Sequence, residues 1–322
     1  MSLLSVRDLT TEFATDGRRA RVVDGVSFDL AAGEILGLVG ESGCGKSTTG
    51  FSLLRLLPPN ARIAAGEVWL DGEDLLRKTD EEMRRIRGSR IAMVFQDPMT
   101  SLDPAFPVGD QIAEVLEEHR GMGRAEATAE AVRLLRLVGI PSAEARLRSY
   151  PHEFSGGMRQ RIVIAITLAC DPQVLIADEP TTALDVTIQA QILRLLRALN
   201  TERRQTGILL ITHDLGVVAQ LCHRVAVMYA GEIVETGEIE AIFTQPAHPY
   251  TQALLGFLPA RARGRGDLPA IEGAVPNPFA YPGGCRFHPR CGRAFADCAE
   301  VHPPPFPIAP GHSASCLLHR HA

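Results

Sequence analysis

The sequence predicts an α/β fold: a parallel sheet buried on both faces, a helical insertion within it, and a Cys- and Pro-rich C-terminal extension. Three observations carry that expectation. Short apolar runs bounded by turns stand at 34–39, 90–95, 174–177, 207–212 and 225–229. Their continuous rather than alternating apolarity suits strands covered on both sides. Between residues 98 and 172 the pattern changes to helical segments at 108–120, 124–138 and 157–170, separated by breakers such as Gly121-Met-Gly and Gly139-Ile-Pro. Finally, 13 of the 22 prolines lie between Pro246 and Pro310. Proline lacks a backbone donor and fixes φ, so this tail is expected not to continue the helices and strands before it.

With 322 residues the chain has room for about two domains. The proline boundary divides it into a core over 1–245, with a helical subdomain at about 98–172, and an extension over 246–322. A short stretch at 260–266, Ala-Arg-Ala-Arg-Gly-Arg-Gly, reads as a linker. Apolar residues make up 45% and charged residues 22%, which argues against a disordered chain. The longest apolar run, 162–170, is half of the ~18 to 20 residues that a membrane span needs. Arg7, Asp8 and Glu12 fall where a secretory signal would place its apolar core, so a cytoplasmic address is expected. A net charge of −5 supplies no basic field for a nucleic-acid partner. In such a compartment the seven cysteines are expected as metal ligands or buried thiols rather than disulfides.

The chemistry begins at Gly40-Glu41-Ser42-Gly43-Cys44-Gly45-Lys46-Ser47-Thr48, placed after an apolar strand and before an apolar helix. Glycines let successive N–H groups turn toward phosphate oxygens, Lys46 reaches the β and γ phosphates, and the Ser47 hydroxyl binds Mg2+. Cys44 lies in the loop by position only; like Cys170 and Cys222 it reads as a small buried hydrophobe. A second signal is the strand Gln173-Val-Leu-Ile-Ala-Asp178-Glu179-Pro180, which ends in two carboxylates. Asp178 suits Mg2+ binding, and Glu179 suits orienting or deprotonating the attacking water. Loop and carboxylates together predict ATP hydrolysis.

Phe154-Ser155-Gly156-Gly157-Met158-Arg159-Gln160 opens a helix just ahead of that strand. A serine hydroxyl and free N–H groups at a helix N-terminus make a second anion site, and two such sites on one chain imply a head-to-tail pair. With this motif the chain resembles the ATPase subunits of ATP-binding-cassette transporters, although Phe154 and Met158 depart from the usual Leu-Ser-Gly-Gly-Gln.

The resemblance covers residues 1 to about 245 and implies a cassette core with an antiparallel β subdomain beside the helical insertion. It further implies that Gln96 contacts Mg2+ and the attacking water, that Ala183-Leu184-Asp185 joins the two sites across the pair, and that His213 touches the γ-phosphate. Catalysis then rests on Glu179, His213, Gln96 and Lys46, and Phe13 is the best match for the residue stacked on adenine. Narrower matches at 95–104, 150–161 and His248-Pro-Tyr-Thr251 are similar to the dipeptide and oligopeptide importer branch, which includes nickel and glutathione importers. That branch implies a second, different ATPase subunit, two permeases docking around Gln96 and 98–110, a periplasmic or extracellular solute-binding protein, and a place on the cytoplasmic face of the membrane. Against a rival, a cytosolic cassette ATPase acting on nucleic acid or ribosomes, stand the acidic balance, the single cassette and the absence of an inserted Cys-x-x-Cys finger. Against an exporter stands the lack of a fused membrane domain.

Four cysteines, Cys285, Cys291, Cys298 and Cys316, fall in the proline-rich tail with spacings of five, six and seventeen residues. Thiolates at four points of a segment with little apolar content suggest folding around a metal. Chemistry alone leaves an iron–sulfur cluster, zinc and unligated thiols open, with His288, His302, His312, His319 and His321 as alternative ligands. The importer branch carries a similar quartet, which ligates a 4Fe-4S cluster in some members and so favours that reading.

Overall fold

The computed structural model describes residues 2–97, 101–182, 184–202, 206–256 and 271–320. The linker at 260–266, Pro98 to Thr100 of the docking segment, Ala183 and His321 lie outside the described residues. Along the chain come β1 (Ser2–Thr15), β2 (Arg18–Ala31), β3 (Ile35–Val39), α1 (Lys46–Leu53), β4 (Ala61–Leu70), β5 (Glu73–Asp74), α2 (Asp80–Ile86) and β6 (Ile91–Val94). They are followed by α3 (Val108–Arg120), α4 (Arg124–Leu137), α5 (Ala143–Arg146), α6 (Gly156–Leu168), β7 (Val174–Asp178), α7 (Val186–Glu202), β8 (Gly207–Thr212), α8 (Leu215–Leu221) and β9 (Arg224–Tyr229). The last are β10 (Glu232–Glu238), α9 (Ile239–Thr244), α10 (Pro249–Gly256), α11 (Asp297–Glu300), β11 (Phe306–Ala309) and β12 (His312–Ala314). These elements fall into two compact units: Met1–Leu30, Ile35–Leu76 and Leu210–Ala322 form the first, Ala31–Glu34 and Arg77–Leu209 the second.

In the first unit a sheet runs β2-β1-β4-β5. β1 and β4 pair antiparallel from Leu4↔Leu70 to Phe13↔Ala61, and Leu4, Val6, Val68 and Leu70 are fully buried, so every second residue faces the core. Asp16 and Gly17, with φ of 50° and 73°, form the two-residue turn between β1 and β2, the backbone that matches strand twist. The other strands of this unit run β11-β12-β10-β9-β3, with β3 and β9 parallel and both almost wholly buried. This burial on both faces explains why their sequences read as continuous apolar runs.

The proline-rich tail does supply regular structure, contrary to the sequence expectation. β12 pairs antiparallel with β10 through Glu235↔Ala314 and Thr236↔Ser313, and β11 adds a further strand. Pro307 is accommodated because β11 is the edge strand, where a missing donor leaves no neighbour unpaired. Glu235, only 1% exposed, fastens the tail: its carboxylate accepts from Ala247 N–H, His248 N–H and His312 Nε2 at 2.7, 2.9 and 2.8 Å. Such full satisfaction is what a buried carboxylate requires.

The second unit holds the parallel pair β6 and β7, in register from Ile91↔Val174 to Val94↔Ala177. Around them α3, α4 and α6 pack together as the helical insertion. Ile112 and Leu116 on α3, and Ala127, Ala131 and Leu134 on α4, give each helix a buried stripe at helical spacing. No helix among the described residues is long and apolar enough to cross a membrane.

Candidate active site

The phosphate-binding loop leaves β3 at Val39 and enters α1 at Lys46. Gly45 is left-handed (φ 107°) and gives α1 no side-chain cap, leaving the helix entrance to be served by backbone N–H groups. A Cβ at Gly45 would sit 2.5 Å from Val22 O, and one at Gly40 only 2.1 Å from Met228 O. Neighbouring backbone therefore dictates glycine at both positions. Lys46, 5% exposed, folds its amine back onto Gly40 O and Glu41 O at 2.8 and 2.9 Å. Both carbonyls hold the ammonium among the loop's own backbone, within the turn that would wrap phosphates. Cys44 is 1% exposed and burial pushes its thiol up, in keeping with a hydrophobe. Ser42, Gly43, Ser47 and Thr48 complete the loop and the first turn of α1. His213 is exposed at the end of β8, and Asp214 behind it caps α8 by accepting from Gly216 and Val217 N–H. Phe13 is half-buried on β1 opposite Ala61.

In the second unit, β6 and β7 deliver their C-terminal ends side by side. Asp178, 2% exposed, ends β7, and Glu179 follows with φ 45°, a conformation that a non-glycine residue adopts at a cost. Its Oε2 accepts from Gln96 Nε2 at 2.9 Å and from Thr182 Oγ1 at 2.8 Å. The structure thus joins Gln96 and Glu179, which stand 83 residues apart. Thr182 was not singled out by the sequence, because a threonine after Glu-Pro reads as an ordinary turn residue.

The signature segment is also in this unit. Ser155 is the N-cap of α6, its hydroxyl accepting from Met158 N–H at 3.3 Å. Gly157 faces α7 so closely that a Cβ would meet Ile188 Cγ2 at 2.5 Å. Asp185 caps α7, accepting from Ile188 N–H at 2.9 Å, and next to it Val186 is 82% exposed. Ser155→Ala is expected to cost about 1 kcal/mol through loss of the cap, read as a lower melting temperature in thermal unfolding.

Residues 23–182 match the family model described as ABC transporter, and residues 234–298 match that of the oligopeptide/dipeptide transporter C-terminal region. The chain is 50% identical to the dipeptide transport ATP-binding protein DppD of Bacillus subtilis, over 98% of this chain and 94% of that one. It is 49% identical to the oligopeptide transport ATP-binding protein OppD of Salmonella typhimurium, over 98% and 93%. Among solved structures, the dimeric ATP-binding cassette MJ0796 in a post-hydrolysis state with ADP and Pi aligns with a TM-score of 0.66 and 27% identity, covering 73% of this chain and 98% of that one. The chain belongs to the ABC transporter ATPases, in their oligopeptide/dipeptide branch. It is an ATP-hydrolysing transporter subunit.

Cys285, Cys291, Cys298 and Cys316 line one small cavity together with His248, Phe287 and His288. Burial pushes the Cys285 thiol up to about 11, and the neighbouring cysteines add to the shift. Four thiols drawn to one cavity from points spread over 32 residues suit a cluster or ion in type and number. As placed, however, no three His, Cys, Asp or Glu side chains among the described residues form a group that could hold a metal ion. Cys298 and Cys316 are buried and Cys285 and Cys291 half-buried, so the thiols pack as small hydrophobes. Three of the alternative histidines are engaged elsewhere, His302 with Glu232, His312 with Glu235 and His319 with Ala247 O, whereas His288 stays at the cavity with its Nδ1 on Cys285 O. His248 differs, since its Nδ1 accepts from Tyr250 N–H while Nε2 is buried without a hydrogen-bond partner.

Proposed function

We propose that this chain is the ATPase subunit of an importer for di- or oligopeptides. Near full-length identity to relatives named for dipeptide and oligopeptide transport, extension included, carries this reading. The cassette spans 1–245 with its helical subdomain at about 98–172, and the extension spans 246–322. The chain works peripherally on the cytoplasmic face of the membrane, with two permeases and a solute-binding protein, and pairs with a second, different ATPase subunit. Phe106, 55% exposed, supports permease docking beside the Gln96 segment, and exposed Val186 next to Asp185 supports a subunit contact there.

Residues 40–48 cradle the phosphates of ATP, with Phe13 on the adenine. Asp178, Ser47 and Gln96 would hold Mg2+, which would neutralise charge on the phosphates. Glu179, steadied by Gln96 and Thr182, takes the proton from the attacking water. Lys46 and His213 stabilise charge on the transferred phosphoryl group. Ser155, Gly156 and Gly157 close over the nucleotide held by the other subunit, and Asp185 links the two sites. The four extension cysteines suit a 4Fe-4S cluster, with zinc the alternative; when bound, it would cross-link four points of the tail.

Uptake of a radiolabelled dipeptide by cells expressing the complete transporter tests the reading. Uptake that depends on ATP-competent subunit is expected, and transport unaffected by Lys46→Ala in this chain would contradict it.

A further inference from the structure

Glu41, the second residue of the phosphate-binding loop, is gripped by the C-terminal extension. Arg290 donates to both carboxylate oxygens of Glu41, Nη1 to Oε2 at 2.7 Å and Nη2 to Oε1 at 3.1 Å. This paired geometry is the strongest form of a guanidinium–carboxylate contact. Arg290 has a side chain only 6% exposed, against 28% for Glu41. Its remaining donors are spent on Tyr229 OH, Ile271 O and Glu272 O, so the guanidinium is fixed from several sides. The backbone of Glu41 is held as well, its N–H donating to the buried Tyr250 OH at 2.9 Å.

These contacts lead directly to the cysteine cavity. Tyr229 and Tyr250 pack on Phe287 with ring centroids 5.2 and 5.3 Å away, and Phe287 lines the cavity. Phe287 and Arg290 both lie in the short segment bounded by Cys285 and Cys291. Arg286, in the same segment, pairs with Asp24 and Glu232 and donates to Ala230 O. One cysteine-bounded turn therefore reaches the loop through Arg290 and strands β2 and β10 through Arg286.

We infer that Arg290 is a positioning residue for the phosphate-binding loop, and that the cysteine-bounded turn thereby sets the affinity for ATP. Two physical effects act together. Lys46 restrains Glu41 O in the present arrangement, and once the ammonium turns to phosphate, Glu41 is held by Arg290 and Tyr250. The Glu41 carboxylate also sits in a loop built to receive anions, and without the guanidinium its charge opposes the incoming phosphates. The inference rests on ATP binding at this loop and is independent of the transported solute or the occupant of the cavity.

The test uses the full transporter complex, titrated with fluorescent ATP analogue and assayed for ATPase KM and kcat. Arg290→Ala is expected to raise KM and the analogue Kd about tenfold while kcat changes less than about twofold. Adding Glu41→Gln to that variant removes the unopposed charge and is expected to bring KM back to within about threefold of the unaltered complex. Arg290→Lys, which keeps the charge but not the paired geometry, should fall between. With limited proteolysis showing that the extension stays docked in Arg290→Ala, a double variant as poor as that single variant overturns the inference. An unchanged KM in Arg290→Ala overturns it equally. Failure of the unaltered complex to bind the analogue would overturn the nucleotide assignment itself.

Discussion

Glu179→Gln is expected to lower ATP turnover by about a thousandfold while leaving ATP affinity within about twofold. The geometry explains why the two effects separate. The Glu179 oxygen that meets Gln96 and Thr182 accepts from both, and a glutamine carbonyl can accept from the same donors. Shape and position survive, whereas the basicity needed to take a proton from water is lost. The phosphate loop lies elsewhere in the chain and keeps its own contacts. ATP should then bind without being consumed, and the subunit pair should stay closed around it. Single-turnover phosphate release and size-exclusion chromatography in ATP read the two outcomes. Undiminished turnover would contradict the assignment of Glu179 as the base.

Gly45→Ala should be nearly as damaging, through nucleotide binding instead of chemistry. The new methyl would meet Val22 O at 2.5 Å and Met228 Cε at 2.8 Å, on a residue with φ 107°. A methionine side chain can step aside, but a backbone oxygen in a sheet cannot. Strain and the displaced loop together are expected to cost about 3 kcal/mol, or roughly a hundredfold in ATP affinity. Gly43→Ala is an internal control, because Gly43 is also left-handed (φ 80°) yet a Cβ there meets nothing within 4 Å. It should lose only the conformational part, about tenfold. Equal losses in titrations of the two variants would contradict the role given to the Val22 contact.

The parts of the site that were legible in the sequence are those whose chemistry is contiguous. Gly40 and Gly45 had to be glycine because backbone crosses close behind them, and Asp178-Glu179 had to follow an apolar run because β7 is buried along its length. The five strands and three insertion helices read from the sequence have ends shifted by no more than two residues, since burial on both faces and helical stripes leave periodic marks. Partnerships between distant residues left none. Arg290 and Glu41 are 249 positions apart, and a lone arginine in a proline-rich tail looks like any solvated charge. The same holds for β12 on β10, where three residues are too few to show alternation and Pro307 argues against a strand until its edge position is seen. Thr182 was hidden differently, in a motif whose neighbouring acids drew the attention.

ATP hydrolysis by the reconstituted transporter in lipid vesicles, with the solute-binding protein supplied empty or loaded with a dipeptide, tests the central claim most directly. Peptide-loaded binding protein should accelerate hydrolysis several-fold over the empty form, and Glu179→Gln in this chain should abolish the acceleration. A rate indifferent to peptide, with the complex intact and hydrolysing ATP, would contradict coupling of this ATPase to peptide import.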